Sequence, residues 1–257
     1  MAKKVWITMV SKNEEKARSI NNLITSYGVG VEGHFFNEKK QYEKWHLAVE
    51  EIVNKDNGLW VIYGNKKDIL NKDIIKHLSL LALSVQAVKG DNFPIMILSS
   101  DDISAVLPFP LKQTIILKPD NPSLGAKITA KVHMPVKKDN RPFYINLLSL
   151  ENIGLWMEIN PRKKGWEGFI AGVAKPSSIK ALGIGDKGKI PEKAVLEYPM
   201  RDMELETSGK EFTAWSAKNS ITENKSIFIK IDNIPDSVLF GEFKDESNPE
   251  LYIIDFC

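Results

Sequence analysis

The sequence predicts a three-layer α/β domain followed by an all-β domain, and three observations carry that prediction. Up to about residue 122, short apolar runs alternate with stretches of helical periodicity. Within FPIMILSSDDISAVLPFPLKQTIILKPDNP, the runs Phe93–Leu98 and Thr114–Leu117 stop at small, polar or turn-forming residues, as buried parallel strands do. Beyond residue 122 the apolar runs are short and separated by turn clusters, without a convincing helix.

In order, Val5–Val10 is a compact strand, and Ser11 to Glu14 has the S/TxxE form of a capping box. Ala17, Ile20, Leu23, Ile24 and Tyr27 then recur at helical spacing, and Gly28 and Gly30 end that helix. Val31–Phe36 makes a second strand. Tyr42, Trp45, Val49, Ile52 and Val53 form an amphipathic stripe for a second helix. Leu59–Tyr63 is a third strand, and Ile74–Val88 is apolar around more of its circumference, as a doubly packed helix is. Phe93–Leu98 and Thr114–Leu117 supply strands four and five. Such alternation requires crossover connections, hence a parallel sheet covered on both faces, a flavodoxin-like layout. Chemistry in that layout sits at the carboxyl ends of the strands: Ser11–Asn13, Asn37, Gly64–Lys66, Ser99–Asp102 and Lys118.

KPDNPSLGA, Lys118–Ala126, concentrates punctuating residues and is taken as the domain boundary, giving domains 1–122 and 123–257. A short helix from Pro122 is the alternative. The boundary is preferred because Ile128, Ala130, Val132 and Met134 alternate with Thr129, Lys131 and His133, a strand-like period of two. Further strands are read at Phe143–Leu150, Leu155–Ile159, Glu167–Ala174, Ala194–Tyr198, Glu211–Ala217, Ser226–Ile231, Val238–Phe243 and Leu251–Phe256, for a barrel or sandwich. ENIGLWMEIN (151–160) and ENKSIFIKID (223–232) align as a weak internal repeat, most simply a repeated hairpin.

Composition narrows the function classes. The 35 basic and 33 acidic side chains leave a net charge of +2, without the footprint of a nucleic-acid binder. The single cysteine, Cys257, excludes an intramolecular disulfide, a CxxC pair and a cysteine-based zinc site. No run approaches a membrane span, and MAKKVWITMV lacks a secretory core, so a cytoplasmic protein without a cofactor is expected.

Two resemblances emerge in the first half. Ser99 and Ser100 after the fourth strand, and Lys118 with Pro119 after the fifth, resemble receiver domains of bacterial response regulators, where the hydroxyl and the lysine contact a phosphoryl group. That group sits on an aspartate ending the third strand, beside a magnesium held by acidic residues ending the first. Here those ends are Gly64 and Asn65, and Ser11, Lys12 and Asn13, so the resemblance implies a degenerate receiver. Trp45, Ala48, Leu59–Tyr63, Pro94, Leu107 and Pro108 also resemble a TIR domain. NAD-cleaving members need a glutamate in the helix after the third strand, where Ile74–Leu78 offers His77, with Asp73 nearby.

In the second half, both repeat copies resemble the central turn and strand of PilZ domains, which bind cyclic di-GMP. The resemblance implies nucleotide contacts from Lys137 and Arg141, spaced like the family's arginine pair, and from the Asn219 region, where Asn219, Ser220, Thr222 and Asn224 precede Ile227–Ile229.

The remaining motifs have plainer explanations. GIGDKGK, Gly183–Lys189, matches both GxGxxG and GxxxxGK, but Ile190 and Pro191 follow in a β region, so a glycine-rich hairpin turn is expected. His34, His46, His77 and His133 lack metal-ligand spacing. Asp101 and Asp102 read as a cap for a helix over Ile103–Leu107. Glu204 and Glu206 share one strand face with the chemistry of paired carboxylates, although a solvated face is the commoner use. NPRKKGW, Asn160–Trp166, is a basic turn that could meet a phosphate. The function these readings favour is a non-enzymatic bacterial signalling or assembly protein acting through protein contacts. The alternatives are a cyclic di-GMP sensor and a TIR-like NAD-cleaving enzyme.

Overall fold

The computed structural model describes residues 3–36, 47–136, 141–150, 154–244 and 250–257. Two compact units divide the chain, Met1–Asp139 and Asn140–Cys257.

The first unit runs β1 (Lys4–Met9), α1 (Glu14–Ser26), β2 (Gly30–Phe35), a helix α2 described over 47–52, β3 (Asn57–Tyr63), α3 (Lys66–Ile69), α4 (Lys72–Lys89), β4 (Ile95–Leu98), β5 (Ile115–Leu117) and α5 (Leu124–His133). All strand pairings are parallel, in the order β2-β1-β3-β4-β5. β3 lies at the centre, and Leu59, Trp60, Val61 and Ile62 are fully buried there. On one face Val5, Ile7, Leu59 and Val61 pack with Ile20 and Ile24 of α1 and Ile128 and Val132 of α5. Trp6, Thr8, Trp60 and Ile62 on the other face are buried too, and the Trp60 indole N–H donates to Thr8 Oγ1 at 2.9 Å. A parallel sheet buried on both faces thus accounts for the continuous apolar runs.

Three local expectations are corrected. The N-cap of α1 is Asn13, whose Oδ1 accepts the Lys16 N–H at 2.9 Å, so Ser11 does not form the capping box. Residues 124–133 are helix rather than strand, and the first unit continues past residue 122 to Asp139. Leu124, Ile128 and Val132 lie four apart, and that helical stripe contains the same even positions that read as alternation. The connection from β4 to β5 holds only two 3₁₀ turns, Ser104–Val106 and Phe109–Leu111, where the sheet geometry could have carried a helix. Among the described residues no helix is long and apolar enough to cross a membrane.

The second unit contains β6 (Phe143–Leu150), β7 (Gly154–Pro161), β8 (Trp166–Ala174), β9 (Ile179–Asp186), β10 (Met200–Thr207), β11 (Lys210–Ile221), β12 (Lys225–Ile231), β13 (Ser237–Glu242) and β14 (Glu250–Asp255). They form two antiparallel sheets, β10-β11-β8-β13-β14 and β6-β7-β12-β9. The sheets meet through aromatic contacts, with Phe143 of β6 edge-on to Phe240 of β13 at 4.9 Å between ring centres. The first sheet is strongly curled. Lys210 on β11 meets Asp255 on β14 at 2.5 Å, although three strand intervals in a flat sheet span about 14 Å.

The repeated segments are neighbours: β7 and β12 pair antiparallel, with Met157 opposite Ile229. Only β7 closes a hairpin, with β6; β11, which precedes β12, pairs in the other sheet with β8 and β10. GIGDKGK is mostly strand, since β9 continues to Asp186, and Ala194–Tyr198 is irregular rather than a strand.

Gly58 sets how closely α5 approaches β3, because a β-carbon there would overlap the Val132 carbonyl oxygen. Gly58→Ala is expected to lower stability by about 1–3 kcal/mol, as overpacking does, measured by urea unfolding.

Candidate functional site

The carboxyl edge of the parallel sheet gathers the strand-end residues singled out in the sequence. Ser99 and Ser100 after β4 and Lys118 after β5 line one crevice of about 420 Å³, together with Asp101, Asp102 and Thr114. It is open because 3₁₀ turns, not a full helix, lead from β4 to β5. Ser99 is buried, its backbone N–H donates to Leu117 O at 3.0 Å, and its Oγ accepts the Asp101 N–H at 3.3 Å. Asp102 accepts the Ser104 N–H at 3.0 Å at the start of the first 3₁₀ turn, whose N-cap is Ile103. That backbone bond, then the Ser104 hydroxyl, hold its carboxyl below the usual range. The helix expected over Ile103–Leu107 is therefore one short turn. Thr114 Oγ1 is buried without a hydrogen-bond partner.

The other half of the same edge carries a carboxylate not singled out in the sequence, Asp68. Ser11 Oγ donates to Asp68 Oδ2 at 2.9 Å, and Asn65 Nδ2 donates to the same oxygen at 2.8 Å. Asn65 Oδ1 in turn accepts the Asp68 N–H at 2.8 Å and caps α3. The Asn65-x-x-Asp68 spacing is a capping-box pattern and was the available signal. Gly64 is tightly surrounded: a β-carbon would lie 3.0 Å from Ile69 Cγ1 and 3.1 Å from Val10 Cβ, so those side chains would have to give way. A carboxylate side chain does not fit there without repacking. Among the described residues no three His, Cys, Asp or Glu side chains converge as a metal site.

On α4, His77 is buried and donates from Nδ1 to the Asp73 carbonyl at 2.6 Å, with its ring edge-on to Phe36. His34 Nδ1 accepts the Trp6 indole N–H at 3.1 Å, and burial pushes the His34 imidazole down to about 4. His46 and Asn37 lie outside the described residues, and His133 sits in the last turn of α5.

In the β unit, Lys137 lies outside the described residues. Arg141 precedes β6 in one sheet and Asn219 belongs to β11 in the other. Asn219 works as a clamp: its Oδ1 accepts the Glu197 N–H at 2.9 Å and its Nδ2 donates to Val195 O at 3.3 Å. That clamp holds out the irregular segment in which Tyr198, at φ 46°, is 83 % exposed. Glu204 pairs with Lys175 at 2.5 Å, and its neighbour on the strand face, Glu206, remains exposed.

The glycine-rich loop serves an internal carboxyl group. The Gly188 N–H donates to Glu158 Oε1 at 2.7 Å, and Ser226 Oγ donates to the same oxygen at 2.7 Å. Glu158 is completely buried. Gly183 and Gly185 form a floor beneath the following residues, since a β-carbon on Gly183 would meet Pro191 Cγ at 2.8 Å. Asp232, at the end of the second repeat, is driven up by burial. Hydrogen bonds from the Ser178 hydroxyl and N–H, with Lys180, outweigh this and bring it down to about 2.

No protein-family model and no curated protein matches the chain.

Two outcomes are expected. Because folded His34 titrates near 4 and its unfolded form near 6.5, protons bind the unfolded chain first. Stability should fall by on the order of 2–3 kcal/mol as pH drops through that window, and His34→Gln should flatten this limb in pH-dependent unfolding. Asn219→Ala should speed limited proteolysis within 195–198 several-fold while leaving the far-UV circular dichroism unchanged.

Proposed function

We propose that the chain is a non-enzymatic signalling or assembly protein that acts through contacts with a protein partner. Its α/β unit is a degenerate receiver-like domain of flavodoxin-like type, and its β unit is a curled, PilZ-like module. The strand order β2-β1-β3-β4-β5 supports the flavodoxin-like reading. The curl marked by Lys210 and Asp255 supports a barrel-like β unit.

The carrying observation is the division of the carboxyl edge. Ser99, Ser100 and Lys118, the supporting groups of a phosphoryl site, share one crevice. The end of β3 offers Gly64, packed against Ile69 and Val10, and Asn65, engaged as a helix cap. A phosphoryl acceptor at the end of β3 needs a carboxylate nucleophile, and Asp68, which follows it, has an oxygen occupied by Ser11 and Asn65, while Asp101 and Asp102 of the crevice follow β4 instead. A scaffold with the supporting groups but not the acceptor keeps a shaped, polar edge suited to recognition.

Incubated with acetyl phosphate and magnesium, the full chain is expected to gain no phosphoryl group by intact-mass spectrometry. Stoichiometric incorporation at Asp68 or elsewhere on this edge would overturn the reading.

A further inference from the structure

The amino edge of the parallel sheet, opposite the Ser99–Lys118 crevice, holds a second crevice of about 260 Å³. It lies where the chain enters β3 and where α4 and α5 end, and Lys3, Asn57, Lys89, Phe93 and His133 are among its walls. Two of these side chains are lysines from distant points of the sequence. Lys89 Nζ donates to Asn54 O at 2.9 Å, and Lys3 Nζ donates to Lys55 O at 3.3 Å. Consecutive carbonyls therefore hold two ammonium groups near each other. Lys89 Nζ also lies 5.3 Å from the centre of the Phe93 ring, which fixes it further along that wall. An ammonium carries three donors, and one hydrogen bond leaves two of them on each lysine.

The chain supplies no counter-ion for this pair. No carboxylate lines the crevice, and among the described residues no ion pair involves Lys3 or Lys89. Burial, then the Lys3 charge, lower the Lys89 ammonium, against a weaker pull from Asp56. The carboxyl ends of α4 and α5 bring about half a negative charge each, so they offset roughly one of the two positive charges. The crevice stays positive. Asn57 then sets the polarity of what fits: it is buried, its Nδ2 donates to Glu51 O at 2.8 Å, and its Oδ1 has no hydrogen-bond partner. A buried acceptor left unpaired is costly, and a bound donor would remove that cost.

We propose that this crevice binds a small phosphate, free or as a monoester, through Lys3, Lys89 and Asn57. A singly protonated phosphate presents anionic oxygens to the two ammonium groups and a P–OH donor to the Asn57 carbonyl oxygen. Sulfate and simple carboxylates bring the charge without that donor. Phe93, Met134 and Pro135 give an organic group an apolar wall to rest on. The volume lies below the roughly 300–1,000 Å³ of pockets for drug-sized ligands, which restricts the ligand to a small one.

The test is calorimetry on the full chain, in a buffer free of phosphate and sulfate, with inorganic phosphate, sulfate, phenyl phosphate and a phenol control. Saturable heat with a millimolar or tighter Kd is expected for at least one of the two phosphates, and sulfate should bind about tenfold more weakly or less. Inorganic phosphate alone would identify a free phosphate as the ligand, and a preference for phenyl phosphate a monoester. Lys3→Gln and Lys89→Gln should each weaken binding about fivefold or more, whereas Lys193→Gln should change it less than twofold. Because the two lysines also hold the turn at 54–55, amide chemical shifts of the unaltered chain locate the ligand independently, and they should move most at Asn57, Gly58 and Phe93. No saturable heat with either phosphate overturns the proposal. So does sulfate binding as tightly as phosphate, phenol matching phenyl phosphate, an equal loss in Lys193→Gln, or shifts centred on Ser99 and Lys118. The outcome is independent of the acetyl phosphate experiment, which reads covalent transfer at the opposite edge.

Discussion

The β unit depends on the requirement that buried polar groups be hydrogen-bonded, and the buried amide of Asn160 meets it where the chain crosses between the sheets. Asn160 Nδ2 reaches the carbonyls of Thr222, Glu223 and Lys225 at 3.3, 3.0 and 2.6 Å. Those residues make the turn by which the chain leaves β11 in one sheet and enters β12 in the other. Asn160 is itself buried, and its amide left without partners would cost about 1–3 kcal/mol, so the turn is held where those carbonyls meet it. Its position fixes β12 beside β7, which brings Ser226 to Glu158 and Glu158 to Gly188. The path of the loop over the outer face follows from that chain of bonds.

The α/β unit obeys the same requirement in a different form. A parallel sheet satisfies its own backbone but exposes two apolar faces, and each crossover must cover part of one. Where a full helix does so, as α5 does over Gly58, the packing is close enough to exclude a β-carbon. Where two 3₁₀ turns replace it, β5 remains only partly buried and the Ser99–Lys118 crevice opens. The polar residues at the strand ends then divide into two groups. Asn13, Asn65, Asn71 and Asp102 bond helix or turn termini, and Ser11 holds Asp68, whereas Ser100 and Lys118 line open space.

Much of the α/β layout was legible because buried parallel strands write continuous apolar runs, and strand ends fall on one edge by topology alone. Ser99, Ser100 and Lys118 could be placed together for that reason. The helix α5 was obscured because Ile128 and Val132 satisfy both a period of two and a spacing of four, with Leu124 hidden among turn residues. β9 was obscured by its glycines, which usually punctuate elements but here make room for Pro191. Asn219 lay in a turn-like motif that suggested ligand contacts, yet its partners are backbone groups more than twenty residues away in sequence, invisible to any local pattern. Glu158 was the least legible. In Trp156-Met157-Glu158-Ile159 it alternates with core residues and so reads as facing water, and the loop covering it has no apolar period to announce that it packs on a sheet.

That covered glutamate is hard to explain as a source of stability. Removing a carboxylate from water costs several kcal/mol, and two hydrogen bonds from neutral donors on Oε1 return less, while Oε2 has no partner. An apolar residue of similar volume would fill the same space at no greater cost. A carboxyl group provides direction instead, since it accepts the amide of Gly188 at φ 78° and pins the turn in which Lys187 precedes it. Burial, then the nearby Glu158, pushes the Tyr144 phenol up to about 12. The position of Glu158 is thus better accounted for by the path of the loop that it fixes than by the folding energy of the sheet.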